Sequence, residues 1–230
     1  MSDATIGASR RDKVLGAIRA RLGGSSGDAT RRSVVAGRIS GQGRHLVPER
    51  ARQGVAELRA LFAAQLRAAN ATVLDAASEA ELPVVVAAYL RSQNLPLVLR
   101  AGGDPWLAGI DWRREPSLAI EPGRAEPADE VGLTHAVAGV AETGTLVLAS
   151  GPDNPVTVTF LPETSIIVLR AGDLVGPYEA AFDKVRGHLG RGTMPRTLNL
   201  VSGPSRTADV GGRLVTGAHG PRRLCVVVVG

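Results

Sequence analysis

LCVVVVG, residues 224–230, is an apolar run with four consecutive valines, and its reading decides the fold. A strand that is apolar on both faces must be covered on both sides, the situation of a parallel strand inside a sheet. Working back, SIIVLR (165–170), TLNLVSG (197–203) and TLVLAS (145–150) read as strands of the same kind. GDLVGPYEAAFDKVRGHL (172–189) reads as a helix between two of them, and RTADVGGRLVTG (206–217) as a short helix before the last. Strands alternating with helices predict an α/β fold: an open, mostly parallel sheet covered by helices on both faces.

The same rhythm extends upstream. ATVLDA (71–76) and LPLVLRAG (95–102) are strands, and SEAELPVVVAAYLRSQN (78–94) between them is a helix with Ser78 as N-cap and Glu81 closing a capping box. Pro48 is placed to open a long helix reaching about Asn70, with Val55, Leu58, Leu61, Phe62, Leu66 and Ala69 at helical spacing. The Pro- and Gly-rich middle, 103–130, admits only short elements such as SLAIEP, and its Trp106 and Trp112 are expected to cover the sheet end. Val14, Leu15, Ile18 and Leu22 mark a first amphipathic helix. The Gly-, Ser- and Arg-rich stretch 23–45 has no apolar periodicity and reads as a linker or extended arm. The expected division is therefore an N-terminal helix and arm over 1–46 and an α/β domain over 47–230.

Composition narrows the chemistry. Hydrophobic residues make up 44% of the chain and aromatics 3%, so the core has to be built from Ala, Val, Leu and Ile. The formal charge is +5, carried almost entirely by arginine, with Lys13 and Lys184 the only lysines. No basic run is interleaved with stacking aromatics, which argues against a nucleic-acid partner. Cys225 is the one cysteine, sits in an apolar strand, and reads as a buried structural thiol. One thiolate cannot hold an iron–sulfur cluster or a structural zinc, and His45, His135 and His188 lack metal-site spacing, so no bound metal is expected. No stretch approaches the ~20 apolar residues of a membrane span, and residues 1–22 lack a signal-peptide core, so the expected location is cytoplasmic. GxSxG, GxGxxG and GxxxxGK[ST] are absent, which disfavours an α/β-hydrolase elbow, a Rossmann nicotinamide site and a P-loop.

Two loops carry the candidate chemistry. In VSGPSRTADV (201–210), small Ser202 and Gly203 admit a ligand close to the backbone, Ser205 and Thr207 offer hydroxyls at the start of the expected helix, and Arg206 supplies a fork suited to carboxylate or phosphate. Asp209 is placed to cap that helix or orient Arg206. Beyond a strand's carboxyl end, such a loop would be an anion cradle; ordinary N-capping by the same residues is the alternative. In GVAETGTLVLASGP (139–152), Glu142, Thr143 and Gly144 precede a buried strand, and Glu142 is a candidate nucleophile or base, or else the partner of an arginine such as Arg206. His219, in the turn before the last strand, is a candidate general acid or base, or a local turn contact.

On AETGTLVLASGP, FLPETSIIVL, VSGPSRTADV and GAHGPRRLCVVVV, in that order over about the last hundred residues, the chain resembles the lactate utilisation protein C, or LUD domain, family. The resemblance implies the NagB/RpiA/CoA transferase-like fold, shared with ribose-5-phosphate isomerase, glucosamine-6-phosphate deaminase and 5-formyltetrahydrofolate cyclo-ligase. It also implies a part in oxidising L-lactate to pyruvate alongside Cys-rich and iron–sulfur partner subunits. From the residues themselves, no cofactor is expected in this chain and a small carboxylate or phosphorylated ligand is expected at the strand-end loops. Two other readings remain open from the residues: an independent enzyme of coenzyme A transferase or cyclo-ligase type working through Glu142, and a non-enzymatic regulatory or assembly protein docking through the N-terminal arm.

Overall fold

The computed structural model describes residues 9–22, 28–41, 46–190, 192–210 and 213–230, and for 208–210, 213 and 214 the backbone only. The chain divides into two units, residues 1–46 and 47–230.

The first unit contains α1 (Arg10–Leu22) and α2 (Ala29–Gly41), neither with a buried residue. The linker reading is corrected over α2. Asp28 caps this helix by accepting the Thr30 N–H at 2.9 Å, a start signal that the Gly- and Ser-rich composition around it obscured. The flanking segments 23–27 and 42–45, with His45, lie outside the described residues.

In the second unit the expected strands form. Pro48 opens only a 3₁₀ turn, Glu49–Ala51, and α3 (Val55–Ala68) begins after Gly54. Next come β1 (Thr72–Ala76), α4 (Leu82–Ser92), β2 (Val98–Ala101), α5 (Pro105–Gly109) and β3 (Ala119–Pro122). The capping box is modified: Pro83 holds α4 to a later start at Leu82, and Glu81 accepts the N–H of Ala77 at 2.9 Å. Both α3 and α4 end in the same left-handed cap. Asn70 (φ 68°) and Asn94 (φ 52°) turn the chain, and the N–H groups of Ala71 and Leu95 each reach back 2.9 Å to Leu66 and Leu90. That cap delivers each helix into its following strand after a few residues.

The remaining elements are β4 (Val131–His135), β5 (Ala138–Val140), β6 (Thr145–Ala149), α6 (Val156–Phe160), β7 (Thr164–Arg170), β8 (Leu174–Val175) and α7 (Tyr178–Leu189). They are followed by β9 (Leu198–Val201), β10 (Arg206–Val210), β11 (Arg213–Thr216) and β12 (Arg223–Val229). The main sheet has six strands in the order β1-β12-β7-β4-β2-β3, every pair parallel. Its α/β architecture with helix-covered faces is the one expected from the alternating pattern.

Side chains alternate across this sheet as the pleat requires. Cys225, Val227 and Val229, with Ile166 and Val168, pack on the face that also buries Leu82, Val86 and Leu90 of α4. Leu224, Val226 and Val228, with Ile167 and Leu169, pack on the opposite face with Phe62 and Leu66 of α3. Burying Phe62 completely stabilises the fold by roughly 1.5–3 kcal/mol.

Two strands read as members of the main sheet belong elsewhere. β6 and β9 pair antiparallel with each other in a second sheet, ordered β8-β5-β6-β9. One side of this sheet adds Leu146 and Leu148 to the α3 face of the main sheet, and the other packs Val140 and Val147 against Ala181 and Val185 of α7. β6 is therefore buried on both faces although it is antiparallel, which is why its apolar run looked like a parallel strand. The expected helix over 206–217 is also corrected, because β10 and β11 pair antiparallel as a two-stranded ribbon. Thr207, Val210, Val215 and Thr216 are β-branched, which favours strand over helix in this segment.

Candidate functional site

Because β9 runs in the second sheet, the chain leaving it reaches the opposite end of the main sheet from the one anticipated. Ser205 donates its N–H to the carbonyl of Pro221 at 2.8 Å, just before β12, and its own carbonyl accepts the N–H of Gly217 at 2.9 Å. Residues 202–207 therefore sit at the amino ends of β7 and β12, not beyond the carboxyl ends of parallel strands.

There they line a cavity of about 330 Å³ with Thr159, Phe160, Ser165, His219, Pro221 and Leu224. That volume lies at the lower end of small-ligand pockets, roughly 300–1,000 Å³. Arg206 is exposed and has no ion-pair partner among the described residues. The N–H of His219 donates to Ser205 Oγ at 3.3 Å, so the exposed histidine is held to the same wall. Ser165 contributes a feature the sequence reading missed. It is 1% exposed, its Oγ has no hydrogen-bond partner among the described residues, and it lines the cavity. A buried hydroxyl without a partner is costly unless something in the cavity satisfies it. Its only trace in the sequence is a serine leading the otherwise apolar run SIIVLR.

The AETGT turn meets this site through hydroxyls. Thr145 Oγ1, in a fully buried residue, lies 2.6 Å from Ser202 Oγ, 2.8 Å from Tyr178 Oη and 2.7 Å from Thr143 Oγ1. Thr143 Oγ1 also donates to Tyr178 Oη at 3.1 Å. Gly144 is required twice over: its φ is +64°, and a Cβ there would stand 2.8 Å from the Leu66 N of α3. Gly203, φ +141°, similarly lies against the carbonyl of Ala69.

The candidates thus separate. Ser202, Gly203, Ser205, Arg206, Thr207 and His219 surround one cavity, and Thr143 joins Ser202 by way of Thr145. Glu142 does not pair with Arg206; it is bound to Arg50 at 3.3 Å. Asp209 lies in β10, and its side chain is outside the described residues, so the helix-capping role proposed for it has no helix to act on.

At the carboxyl ends of the main sheet sits a second polar cluster. Asp104 caps α5 by accepting the N–H groups of Trp106 and Leu107, each at 3.0 Å, and its Oδ2 lies 3.1 Å from His135 Nδ1. Burial pushes the Asp104 carboxyl up, but the hydrogen bonds from His135 and from the Leu107 and Trp106 N–H groups outweigh it and hold the carboxyl below its usual range. Trp106 packs against His135 with ring centroids 4.6 Å apart and planes tilted by 40°, beneath the Arg170 guanidinium at 5.4 Å. This tryptophan covers the sheet end, as its position in the Pro-rich middle predicted. Among the described residues no group of three or more His, Cys, Asp or Glu side chains is arranged to hold a metal ion. No helix among the described residues is long and apolar enough to cross a membrane.

The LUD domain family matches residues 124–229, which contain both loops and the cavity. Lactate utilization protein C of Deinococcus radiodurans is 35% identical over 156 residues, covering 66% of this chain and 71% of that protein. The chain belongs to the lactate utilisation protein C family. Its homologues of that name in Shouchella clausii and Bacillus subtilis are 37% and 36% identical over 116 and 107 residues, covering 50% and 46% of this chain. The chain spans about half the length of these relatives, 49% and 44%. A crystal structure of a DUF162 family protein from Deinococcus radiodurans superimposes with a TM-score of 0.55 at 26% identity, over 77% of this chain and 99% of that one. Membership in this family agrees with the resemblance carried by the two loops.

Proposed function

We propose that this chain works in lactate utilisation as a ligand-binding subunit of an L-lactate-oxidising system, with a small carboxylate or phosphorylated ligand held in the cavity at the amino ends of β7 and β12. Arg206 supplies the positive fork, the hydroxyls of Ser202, Ser205 and Thr207 supply hydrogen bonds, and His219 stands at the rim. The observation that carries this reading is Ser165 Oγ: a buried hydroxyl, without a partner among the described residues, on the wall of a cavity whose formally charged lining residue among them is an arginine. A polar ligand satisfies that hydroxyl, and its anionic group pairs with Arg206.

The relatives' name supplies the pathway, and the chain's single cysteine supplies the division of labour. Electron transfer is assigned to iron–sulfur and Cys-rich partner subunits in the cytoplasm, since one buried thiol cannot ligate a cluster. The test is partner dependence. Lactate oxidation is expected only when the chain is combined with such partners, and Arg206→Ala is expected to lower it. Turnover of L-lactate by the purified chain with an artificial electron acceptor would overturn the accessory role.

A further inference from the structure

A second cleft, about 700 Å³, lies among the loops that follow β3 and β6 and precede β9. Among the described residues its formally charged lining residues are Arg124 and Arg196, and none is acidic. By contrast, Arg100 is held by Asp129 and Arg170 by Asp173, each at 2.9 Å. Arg124 and Arg196 are exposed and have no ion-pair partner among the described residues.

The walls between them are braced. Ser150 and Thr197 exchange two hydrogen bonds, Ser150 N–H to the Thr197 carbonyl at 3.0 Å and Thr197 N–H to Ser150 Oγ at 2.9 Å. The Ala125 N–H reaches Thr157 Oγ1 at 3.3 Å, which ties the segment bearing Arg124 to α6. Pro152 and Pro155 stiffen the loop between. The braces fix the segments carrying the two arginines and leave the guanidiniums uncommitted, so little backbone ordering is required on binding.

We infer that this cleft is a second binding site, for a small ligand carrying two anionic groups, with Arg124 and Arg196 each taking one. A guanidinium fork accepts carboxylate or phosphate in the same two-hydrogen-bond geometry, so the chemistry common to both is a doubly anionic small molecule. The cleft's volume suits a ligand of metabolite size. The cleft shares no lining residue with the cavity at Arg206.

The full chain titrated calorimetrically at low salt with inorganic pyrophosphate, and separately with succinate, provides the test. Since the Arg206 cavity is itself proposed to take small carboxylates or phosphates, a saturable site that persists in Arg206→Ala is expected for at least one of these anions, weakened about tenfold or more by Arg124→Ala and by Arg196→Ala, as loss of a charge-assisted hydrogen bond predicts. Arg206→Ala is expected to leave it unchanged, and the anion that binds tells phosphate from carboxylate. Absence of saturable binding by either anion, binding indifferent to both substitutions, or binding lost only in Arg206→Ala would overturn the inference. Circular dichroism of each variant separates a lost site from a lost fold.

Discussion

Thr145 Oγ1 lies 2.6 Å from Ser202 Oγ, a side-chain hydrogen bond that spans 57 residues of sequence and ties the turn before β6 to the loop after β9. The two motifs that define the family resemblance are thus mechanically one object. Thr145→Val removes the hub while preserving volume and leaves the part-buried hydroxyls of Thr143, Tyr178 and Ser202 short of a partner, a loss of about 1 kcal/mol. Urea unfolding is expected to show that loss, and Thr145→Ser to recover most of it.

Gly144 holds a backbone conformation that L side chains avoid, against the backbone of α3. Gly144→Ala is expected to cost about 1–3 kcal/mol, combining left-handed strain with displacement of Gln65 and Leu66. For a domain of this size each kcal/mol lowers Tm by roughly 2–4 °C, which scanning calorimetry resolves. A variant as stable as the parent would mean that the turn has room the structure does not show.

Glu142 is paired with an arginine whose side chain is 61% exposed, a setting in which ion pairs contribute about 0–1 kcal/mol. Glu142→Gln is therefore expected to unfold nearly as the parent does and, in the reconstituted system, to keep lactate oxidation. Abolished turnover in a folded variant would instead assign the carboxylate to covalent or general-base chemistry.

Asp104 has a folded-state pKa below its ordinary value, about 3.9 in an unfolded chain. Its contribution to stability is therefore present above that value and is lost as pH falls through the lower folded one. In urea titrations at a series of pH values, the stability gap between the parent and Asp104→Asn is expected to be full at neutral pH and to close on acidification below about pH 4. A gap that widens in acid would reverse the sign of the Asp104–His135 contact.

Cys225 is fully buried and its thiol is pushed up to about 12 by desolvation. The thiolate is the reactive form. Disulfide exchange reagents at mildly alkaline pH are expected to leave the folded chain unlabelled and to label it once denatured. Rapid labelling of the native protein would contradict the burial of β12.

The sequence by itself determined the local elements and their class. Runs such as LCVVVVG and SIIVLR can be buried only as strands covered on both faces, and the spacing of Phe62, Leu66, Val86 and Leu90 can be buried only as helix faces, so the α/β core was legible in composition and periodicity. The order of the two loop motifs carried the family. Tertiary structure alone decided which strands share a sheet and which end each loop occupies. β6 is apolar on both faces whether it lies in the parallel sheet or beneath it, so its periodicity cannot register an antiparallel partner 50 residues away. That single pairing turned β9, carried the SGPSRT loop to the amino ends of β7 and β12, and joined Ser165 to it. It also gave the 206–216 segment a strand partner where local reading had placed a helix. Glu142 found Arg50 rather than Arg206 for the same reason: a contact across 92 residues is set by packing, and charge in the sequence names no partner.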